Sequence, residues 1–565
     1  MTMLNRKILE CVPNFSEGRN KEIINAIAES IRSVEGVQLL DVDPGEATNR
    51  TVMTFVGEPE KVVEAAFQAI KTAAELIDMR KHKGAHPRMG ATDVCPLVPV
   101  ANMTMEEASE WAHQLAKRVG EELRIPVYMY EFSATKPERK SLASIRQGEY
   151  EALPEKLKLP EWKPDYGPAE WNDHVAKTGA TAIGARPFLV AYNVNLNTTN
   201  VRRANSVAFD IRERGRLLRK GHPVIGEKVM DADGKPVYMP GLLKGVRAIG
   251  WYIDEYGIAQ VSMNITNIDE VPIHVAFETT DESARKRGLR VTGSEIVGLV
   301  PLKVLLEAGK YYLKRQRRSW GVPEEEIVHI AIESLGLNSV QPFDPEKKII
   351  EYRIQEDDRK NSLVRKTVRE FVNEVSVDSP VPGGGSVGAL VGSLAAALAS
   401  MVANLSAHKH GWEDKFEYFA TIAEKAQNLK DRLLYLVDAD SKSFQKVMDA
   451  FKVKASVEEK QKKIQEAYKE AMEIPFQTLQ TVRDVFPLLE ELAQKGLQAS
   501  ITDVASGASC GRAAAEAAYM NVLINAREIE DKEWVEERLS SAKKLLEDIR
   551  QAHEELFKSI ETKLQ

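Results

Sequence analysis

The spacing of hydrophobic residues divides the chain into two parts of different character. Over about the first two thirds, short runs rich in β-branched and aromatic residues alternate with amphipathic segments of helical period. This alternation is typical of α/β domains. The predicted strands are residues 37–42, 51–56, 126–130, 188–194, 260–265 and 349–354, and the predicted helices are residues 60–77, 105–118, 200–214 and 281–287.

The pattern changes at residues 355–361, a charged and polar run with the sequence QEDDRKN. A polar stretch before it, residues 220–244, predicts turns or a hairpin. From residue 363 onward the strand signals nearly disappear, and a period of about 3.6 residues dominates. We therefore expect two α/β subdomains of the α+β sandwich type, residues 1–184 and 185–354, then a linker over residues 355–362 and an all-α helical-bundle domain over residues 363–565.

A glycine-rich run, Gly383-Gly384-Gly385, precedes a long apolar segment in the helical part. Glycines let the backbone turn sharply and approach another group closely. The next residue, Ser386, is of a type that caps helices, and the free amides of a helix N-terminus attract anions. We expect Ser386 to cap the helix and a small anionic group to lie against its first turn.

Small residues recur every fourth position in the helix that follows, at Gly388, Gly392, Ala396 and Ser400. This spacing places the smallest side chains on one face, against which another helix can pack closely. Residues 387–405 are also numerous enough to cross a bilayer. The segment lacks the aromatic belts that mark membrane spans, so the pattern favours a helix buried in an oligomeric bundle.

The composition is that of a soluble protein and narrows the function classes. Hydrophobic residues make up 43% and charged residues 28% of the 565 residues, and the net charge is −7. That charge argues against a general nucleic-acid-binding surface. The three cysteines, Cys11, Cys95 and Cys510, are too few and too far apart in sequence for a disulfide framework or a cysteine-based zinc site. We expect a cytoplasmic protein without a secretory signal.

Residues 81–93 concentrate candidate chemistry. They include His82 and His86, four residues apart as in zinc-binding helices, but the glutamate of such helices is missing. Gly84 and Pro87 also interrupt any helix here. The histidines are therefore candidates for acid–base chemistry, and hydrogen bonding to the backbone is the alternative.

An aspartate, Asp440, interrupts an apolar stripe in the helical part. A carboxyl group on a buried face has a raised pKa and can act as a general acid near neutrality. A buried aspartate bonded to a serine or an amide is the alternative. Asp438 faces elsewhere, so the two aspartates do not form a pair. The apolar positions that share the face of Asp440 are Leu433, Val437, Phe444, Val447 and Phe451.

Two amides, Asn521 and Asn525, are one turn apart on another predicted helix. This helix also carries Gly507, Gly511 and Ala515 at four-residue spacing. The amides suit either the binding of a heterocycle or the joining of two helices.

Several longer sequence words resemble those of known enzymes. In the α/β part, ECVPNFSEG at residues 10–18, NRT at 49–51, HKGAHPRMGA at 82–91 and GATAIGAR at 179–186 resemble glutamate formiminotransferases. In the helical part, PGGGSV at 382–387, VDAD at 437–440 and NVLIN at 521–525 resemble formiminotetrahydrofolate cyclodeaminases. Their order over nearly the whole chain is similar to that of the bifunctional formimidoyltransferase-cyclodeaminase family.

The resemblance implies two consecutive reactions of histidine degradation. First the formimino group of N-formimino-L-glutamate moves to N5 of tetrahydrofolate, and glutamate is released. Then 5-formiminotetrahydrofolate cyclises to 5,10-methenyltetrahydrofolate with loss of ammonia. Two alternatives remain open at this point: a transferase whose helical domain only oligomerises, and a folate-binding scaffold without catalysis.

The resemblance also implies cofactors and partners. The co-substrate is tetrahydrofolate, with or without a polyglutamate tail, and no metal is expected. The implied assembly is a homo-oligomer of the family's octameric ring type. No nucleic acid or membrane partner is expected.

Site residues follow from the resemblance by position. His86 matches the transferase histidine, which would take the proton from N5, and Asp43 would orient His86 or the amidine. Asp440 matches the cyclodeaminase acid. Arg88 and Arg186 suit the carboxylates of glutamate or of the folate tail. The implied folate contacts are Gly167, Pro168, Trp171, Thr178 and Gly179, in a loop a few residues longer than the mammalian type, together with Gly383, Gly384, Gly385, Ser386, Asn521 and Asn525.

Overall fold

The computed structural model describes residues 7–46, 48–84, 87–222, 225–355, 360–454 and 456–565. These residues form two compact units. An α/β unit runs to Val304 and includes Gly336–Ile354, and a helical unit comprises Leu305–Leu335 and Gln355–Gln565. The boundaries that we place at residues 184, 354 and 363 stay predictions from the sequence.

The first half of the α/β unit is built on a seven-stranded sheet. Its strands are β1 (Ile8–Cys11), β2 (Asn14–Phe15), β3 (Val37–Gly45), β4 (Arg50–Gly57), β5 (Thr92–Ala101), β6 (Val127–Met129) and β7 (Thr181–Ala185). The order is β1-β4-β2-β5-β7-β6, β3 also pairs with β4, and β1 also pairs with β5. β7 runs parallel to both β5 and β6, and the other pairs are antiparallel. The short β1 and β2 therefore lie between the long strands β4 and β5.

Three helices supply most of the core beside this sheet. They are α1 (Lys21–Arg32), α2 (Pro59–Leu76) and α3 (Met105–Glu122), whose apolar faces are buried. Asn20 caps α1, and Thr104 with Glu107 forms a capping box on α3, so both helices start where their free amides are satisfied. Three short helices follow, α4 (Leu142–Ile145), α5 (Leu153–Lys156) and α6 (Asp173–Thr178).

The second half of the α/β unit contains a four-stranded antiparallel sheet in the order β13-β14-β8-β15. These strands are β8 (Val190–Leu196), β13 (Val246–Ile253), β14 (Ile258–Ile265) and β15 (Val291–Val297). The helices α7 (Val201–Ile211) and α8 (Ile273–Arg285) pack against it. Between α7 and β13 lie β9 (Arg216–Leu217), β10 (Arg219–Lys220), β11 (Glu227–Lys228) and β12 (Tyr238–Met239), in two short antiparallel pairs. The predicted turn region at residues 220–244 is thereby confirmed.

One prediction for this half is confirmed in part, and another is wrong. Residues 281–285 of the helix predicted at 281–287 belong to α8, which already begins at Ile273. The predicted strand at residues 349–354 is a helix, and the helices of this region are α9 (Leu302–Arg315), α10 (Glu324–Leu335), α11 (Pro345–Lys348) and α12 (Ile350–Ile354). A short apolar run does not separate strand from helix, and Ile350 and Ile354 have the four-residue spacing of a helix. The helix lets Glu351 accept the backbone N–H of Leu302 at 2.7 Å.

After Gln355 the described residues contain no strand, as the sequence predicts. The helices are α13 (Val368–Val375), α14 (Gly384–Ala407), α15 (Phe416–Lys452), α16 (Val457–Lys495), α17 (Ile501–Ala526) and α18 (Lys532–Leu564). α14 packs against α15, α16 and α17, and α17 packs against α16 and α18. α14 is therefore a central helix of this unit.

The small residues of α14 and α17 permit this packing, which confirms the expected close approach. A Cβ added at Gly388 would lie 3.1 Å from the Cβ of Ala517, and one added at Gly392 would lie 3.0 Å from Cγ2 of Val482. α14 is also long and apolar enough to cross a membrane. However, 61% of its most apolar 18-residue stretch is buried inside the protein, and the core helices of soluble proteins have the same length and composition.

Residues Leu305–Leu335 are an integral part of the helical unit. The carbonyl of Gly321 accepts a hydrogen bond from Nδ2 of Asn404 at 2.7 Å, and a Cβ at Gly321 would lie 2.3 Å from the Cβ of Ala423. The carboxylate of Glu424 accepts from Nζ of Lys310 at 2.6 Å and from Nε1 of Trp320 at 3.0 Å. This segment is thus held by both close packing and charged hydrogen bonds.

We expect Gly392→Leu to destabilise the helical unit by about 1–3 kcal/mol, because the added side chain would displace Val482 and Leu433 from a filled interface. Chemical denaturation followed by far-UV circular dichroism measures the change. Lys543→Ala, at an exposed position of α18, is the control and should stay within about 0.5 kcal/mol of the parent. A Gly392→Leu variant as stable as the parent would contradict the close packing.

Candidate functional site

A cavity of about 830 Å³ in the α/β unit is the first candidate site. Residues around β1, β4 and β5, the segment after α4, and the second sheet all contribute to its wall. Four guanidinium groups line it, against the carboxylates of Glu131 and Glu149. This excess of positive charge suits an anionic ligand. The four arginines are Arg50, Arg146, Arg186 and Arg247.

Arg146 is neutralised and fixed in place. Its guanidinium pairs with Asp93, whose residue is 1% exposed. Burial raises the pKa of Asp93, and the charge of Arg146 opposes that rise. Nζ of the buried Lys156 donates to the carbonyls of Ile145 and Gln147 at 2.5 and 3.3 Å, on either side of Arg146. Burial lowers the pKa of Lys156 to about 8.

Arg50 differs because its partner is neutral. One of its terminal nitrogens donates to Oδ1 of Asn14, whose Nδ2 in turn donates to the carbonyl of Val12 at 2.9 Å. Nε of Arg50 is buried and has no hydrogen-bond partner among the described residues. Burial is the main cause that lowers the pKa of Arg50. The guanidinium is therefore oriented but not neutralised.

Arg186 lies in the field of several acidic groups. Burial raises the pKa of Glu10 on β1 to about 7, and the charge of Arg186 limits that rise, while Glu351 adds to it. Burial likewise raises the pKa of Glu131, opposed by Arg186 and Arg247. Nη1 of Arg186 donates to the carbonyl of Pro187 at 3.1 Å. A ligand carboxylate would compete with these groups for its charge.

The histidine-containing segment borders the cavity through Pro87. His86 lies outside the described residues. His82 is described, and both of its ring nitrogens are engaged: Nε2 is 2.9 Å from the carbonyl of Asn49, and Nδ1 accepts from Nε of Arg88 at 3.3 Å. Its contacts are those of a structural histidine.

The guanidinium of Arg88 is paired with two glutamates. It forms ion pairs with Glu149 at 3.0 Å and with Glu151 at 2.7 Å, and these raise the pKa of its guanidinium. It lines a second, smaller cavity of about 400 Å³ together with Lys83 and Gly148. Arg88 and Arg186 thus belong to different cavities.

Asp43 is an exposed residue of β3, opposite Val52 in the register. It is not among the residues that line either cavity. Its negative charge opposes the lowering of the pKa of Arg50 that burial causes. Its proposed role toward His86 stays a prediction.

The loop at residues 167–179 packs against the histidine-containing segment and is hydrogen-bonded to it. The backbone N–H of Ala91 donates to the carbonyl of Thr178 at 2.7 Å, and a Cβ at Gly179 would lie 2.2 Å from the carbonyl oxygen of Met89. The ring of Trp171 lies 5.7 Å from that of Tyr150. Gly167, Pro168, Trp171, Thr178 and Gly179 are not among the residues that line the large cavity.

The second candidate site is in the helical unit, where Asp440 of α15 meets the first turn of α14. Oγ of Ser386 donates to Oδ2 of Asp440 at 2.9 Å and lies 3.0 Å from Oγ of Ser441. A Cβ at Gly385 would lie 2.1 Å from Oδ1 of Asp440. Burial raises the pKa of Asp440, and hydrogen bonds from the hydroxyl and backbone N–H of Ser386 oppose that rise. The result is a partly buried carboxyl group with fixed donors.

The prediction that Ser386 caps the helix is wrong. The helix begins at Gly384 with Gly383 as the cap residue, and no side chain caps it. Ser386 lies inside the first turn because its side chain bonds to Asp440 instead. The carboxyl group of Asp440 lies against this first turn, and the expected small anionic ligand stays a prediction.

The apolar stripe of α15 is confirmed in part. Leu433, Val437 and Val447 are buried and Phe444 is half-buried, but Phe451 is 47% exposed, so its assignment to the buried face is wrong. The stripe ends before the C-terminus of α15 at Lys452. Asp438 faces another way, and its carboxylate accepts from Oγ of Ser362 and the backbone N–H of Leu363.

The two amides of α17 have different surroundings. Nδ2 of Asn525 donates to the carbonyl of Ala471 at 2.9 Å, so it joins α17 to α16. Nδ2 of Asn521 donates within its own helix, to Ala517, and would lie 3.3 Å from a Cβ added at Gly384. Asn521 therefore lies beside the glycine-rich turn, and Asn525 does not need a ligand to be satisfied.

Sequence reasoning missed several charged groups of the large cavity. Arg50 begins β4 and stood within a recognised word, but nothing in the sequence shows that it lacks a carboxylate partner. Arg146 and its partner Asp93 are 53 residues apart. Arg247 alternates with the apolar residues of β13, as an exposed strand position does. The one sequence signal for these groups is the polar residue Arg50 at the start of the largely buried strand β4.

Comparisons with known proteins identify relatives along the whole chain. Three family models match: the N-terminal subdomain of the formiminotransferase domain over residues 8–186, the formiminotransferase domain over 191–355, and formiminotransferase-cyclodeaminase over 367–544. The chain is 42% identical over 549 residues to the formimidoyltransferase-cyclodeaminase of Gallus gallus, with 96% of this chain and 97% of that protein covered. The Rattus norvegicus protein of the same name is 41% identical over 95% of this chain and 96% of its own. The glutamate formimidoyltransferase of Streptococcus pyogenes serotype M1 is 44% identical over 308 residues, 54% of this chain and 94% of its own.

We expect Glu10→Gln to change how stability depends on pH. The raised pKa of Glu10 means that the folded chain keeps a proton that the unfolded chain loses between about pH 4.5 and 7. The parent therefore loses up to about 3 kcal/mol of stability over that window, at 1.36 kcal/mol per pKa unit, and the variant does not. Unfolding free energies of both proteins at pH 5 and pH 8 measure this. If the unfolding free energies of the parent and of Glu10→Gln differ by the same amount at pH 5 and at pH 8, the raised pKa of Glu10 is contradicted.

Proposed function

The chain belongs to the formimidoyltransferase-cyclodeaminase family, and on this premise we propose which of its residues carry the two reactions. The enzyme transfers the formimino group of N-formimino-L-glutamate to N5 of tetrahydrofolate and releases glutamate. It then cyclises 5-formiminotetrahydrofolate to 5,10-methenyltetrahydrofolate with loss of ammonia. Both steps are acid–base chemistry at an amidine carbon.

The transfer reaction is assigned to the large cavity of the α/β unit. Its support is the set of arginines there, since formiminoglutamate carries two carboxylates and folate at least two. N5 of tetrahydrofolate attacks the formimino carbon and loses its proton, and the glutamate nitrogen gains a proton as its bond to that carbon breaks. We assign the proton transfer to His86, because it precedes Pro87 of the cavity wall and because both nitrogens of His82 are already engaged.

The cyclisation is assigned to Asp440, and its contacts are the single observation that carries this assignment. N10 of the folate attacks the formimino carbon and loses its proton, while the departing nitrogen gains protons and leaves as ammonia. Burial keeps the pKa of Asp440 above that of an ordinary aspartate, so it can hold a proton for the departing nitrogen. Ser386 and Gly385 fix its position. Asn521 and the turn at Gly383 and Gly384 would contact the folate.

The remaining assignments concern the folate and the state of the enzyme. The loop at residues 167–179 would contact the pterin side of the transferase site, and Arg186 a carboxylate. We further propose that the folate can carry a polyglutamate tail, that neither reaction needs a metal, and that the enzyme works as a homo-oligomer in the cytoplasm. The composition and the mostly buried α14 support a soluble enzyme.

Products separate the two sites. Given formiminoglutamate and tetrahydrofolate, the parent should release glutamate and ammonia and form methenyltetrahydrofolate. We expect His86→Ala to abolish all three products, and Asp440→Asn to release glutamate while slowing ammonia release about 10²–10⁴-fold, the usual worth of a general acid. Glutamate alone from the parent would indicate a transferase with a non-catalytic helical domain. Neither product would indicate a folate-binding scaffold.

Ser386→Ala should affect the second reaction only. Loss of the hydroxyl removes a hydrogen bond that lowers the pKa of Asp440, so the limb of the pH–rate profile that reports this group should move to higher pH. A rate loss of roughly ten- to hundredfold corresponds to one hydrogen bond to a charged group. Ammonia release from 5-formiminotetrahydrofolate, measured across pH, is the assay.

Ser393→Ala is the matched control on the same helix. Ser393 is also buried, but its hydroxyl only donates to the carbonyl of Leu390 at 2.7 Å. This variant should keep the parent's pH profile. Equal effects of the two substitutions would contradict a specific role of Ser386 at Asp440.

A further inference from the structure

The four arginines of the large cavity are not equivalent. Arg146 is paired with Asp93, and the charge of Arg186 acts on Glu10 and Glu131. Arg247 is exposed, so water can solvate it. Arg50 is partly buried, and the charges of Asp93 and Asp43 act on it without an ion pair to a described residue. It differs from the other three in having a buried N–H group, Nε, without an acceptor among the described residues.

The contacts of Arg50 orient it without satisfying it. Asn14 accepts one N–H, and Asn14 is itself held because its Nδ2 donates to Val12. An amide is neutral, so this contact fixes the plane of the guanidinium and leaves its charge in place. Nε is buried without an acceptor among the described residues. A buried donor without an acceptor is unfavourable, and more so on a charged group, so such an arrangement calls for an acceptor.

A carboxylate matches what Arg50 offers. Nε and the terminal N–H groups that Asn14 does not use form a planar fork, which is the geometry that binds two carboxylate oxygens at once. An anion would also offset the burial that now disfavours the charged guanidinium.

Two carboxylate sources are available in the transfer reaction, the amino-acid donor and the glutamate tail of the folate. The residue before Arg50 is tied to the segment that leads to His86, because Nδ2 of Asn49 donates to the carbonyl of Lys83 at 3.1 Å and its own carbonyl contacts His82. The donor's carboxylates are only a few bonds from the formimino carbon, whereas the folate tail is separated from N5 by the pterin and p-aminobenzoyl groups. A residue beside the reacting segment therefore favours the donor.

We propose that Arg50 binds one carboxylate of the formimino-amino-acid donor and makes the site selective for dicarboxylate donors. This inference rests on the proposed transferase function of the cavity. Arg50 acts in binding and not in proton transfer, so its loss should raise KM much more than it lowers kcat.

The test compares the parent, Arg50→Gln and Arg50→Lys with three donors: formiminoglutamate, N-formimino-4-aminobutyrate, which lacks the α-carboxylate, and N-formimino-2-aminobutyrate, which lacks the side-chain carboxylate. For Arg50→Gln we expect KM for formiminoglutamate to rise about 10- to 100-fold with kcat within a few-fold. For the analogue that lacks the carboxylate bound by Arg50, the substitution should raise KM little. Arg50→Gln should therefore no longer discriminate between that analogue and formiminoglutamate. Arg50→Lys should recover only part of the affinity, since it keeps the charge but loses the fork.

Two controls separate this proposal from a folding defect. Arg285→Gln removes an arginine that is paired with Asp281 on the exposed side of α8 and should leave KM unchanged. Ammonia release from supplied 5-formiminotetrahydrofolate reports the helical unit and should be the same in every variant.

Three outcomes would overturn the proposal. They are an unchanged KM for formiminoglutamate, an equal loss with all three donors, and a loss that appears with tetrahydrofolate but disappears with tetrahydropteroate, which has no glutamate tail. The last outcome would assign Arg50 to the folate. If the parent itself transfers no formimino group, the proposed function fails, and that result is distinct from any failure of Arg50.

Discussion

The contact between Asp440 and the first turn of α14 constrains much of the helical unit. A carboxylate attracts the free amides at the start of a helix, and here it approaches so closely that residue 385 has no room for a side chain. The start of α14 is therefore fixed relative to α15 by a polar contact. The small residues farther along α14 then let its neighbours approach closely. Packing and chemistry in this unit depend on the same register of α14 against α15.

The α/β unit handles its buried charge differently. Most of its buried arginines are matched by carboxylates, as Arg139 is by Asp165 at 2.7 Å and Arg146 by Asp93. Removing charged groups from water is costly unless they are paired, so each pair also fixes the backbone that carries it. Arg50 departs from this rule within the same cavity. Its side-chain partner is the neutral Asn14 instead of a carboxylate.

The sequence predicted what depends on local periodicity and missed what depends on tertiary contact. The alternation of strands and helices, the helical last part and the unusual position of Asp440 all follow from spacing along the chain. The strand proposed at residues 349–354 is wrong because six residues carry too little periodicity to decide between helix and strand. The residue type of Ser386 suits a helix cap, whereas its hydroxyl donates to Asp440 on another helix. The partners of Arg146 and Arg50 lie at distances in sequence that no local pattern connects.

The path of the chain between the two units has a consequence for dissecting the protein. The chain enters the helical unit at Leu305, returns to the α/β unit at Gly336, and leaves it again after Ile354. A fragment that begins at residue 363 would lack Lys310 and Trp320, both of which donate to Glu424, and would expose the surface that receives Gly321. A protease that cuts once between residues 355 and 362 would therefore yield two pieces that still hold each other, because the helices α9 and α10 of the first piece remain part of the fold of the second. The bifunctional chain is thus interleaved, and its halves are not separable modules joined by a tether.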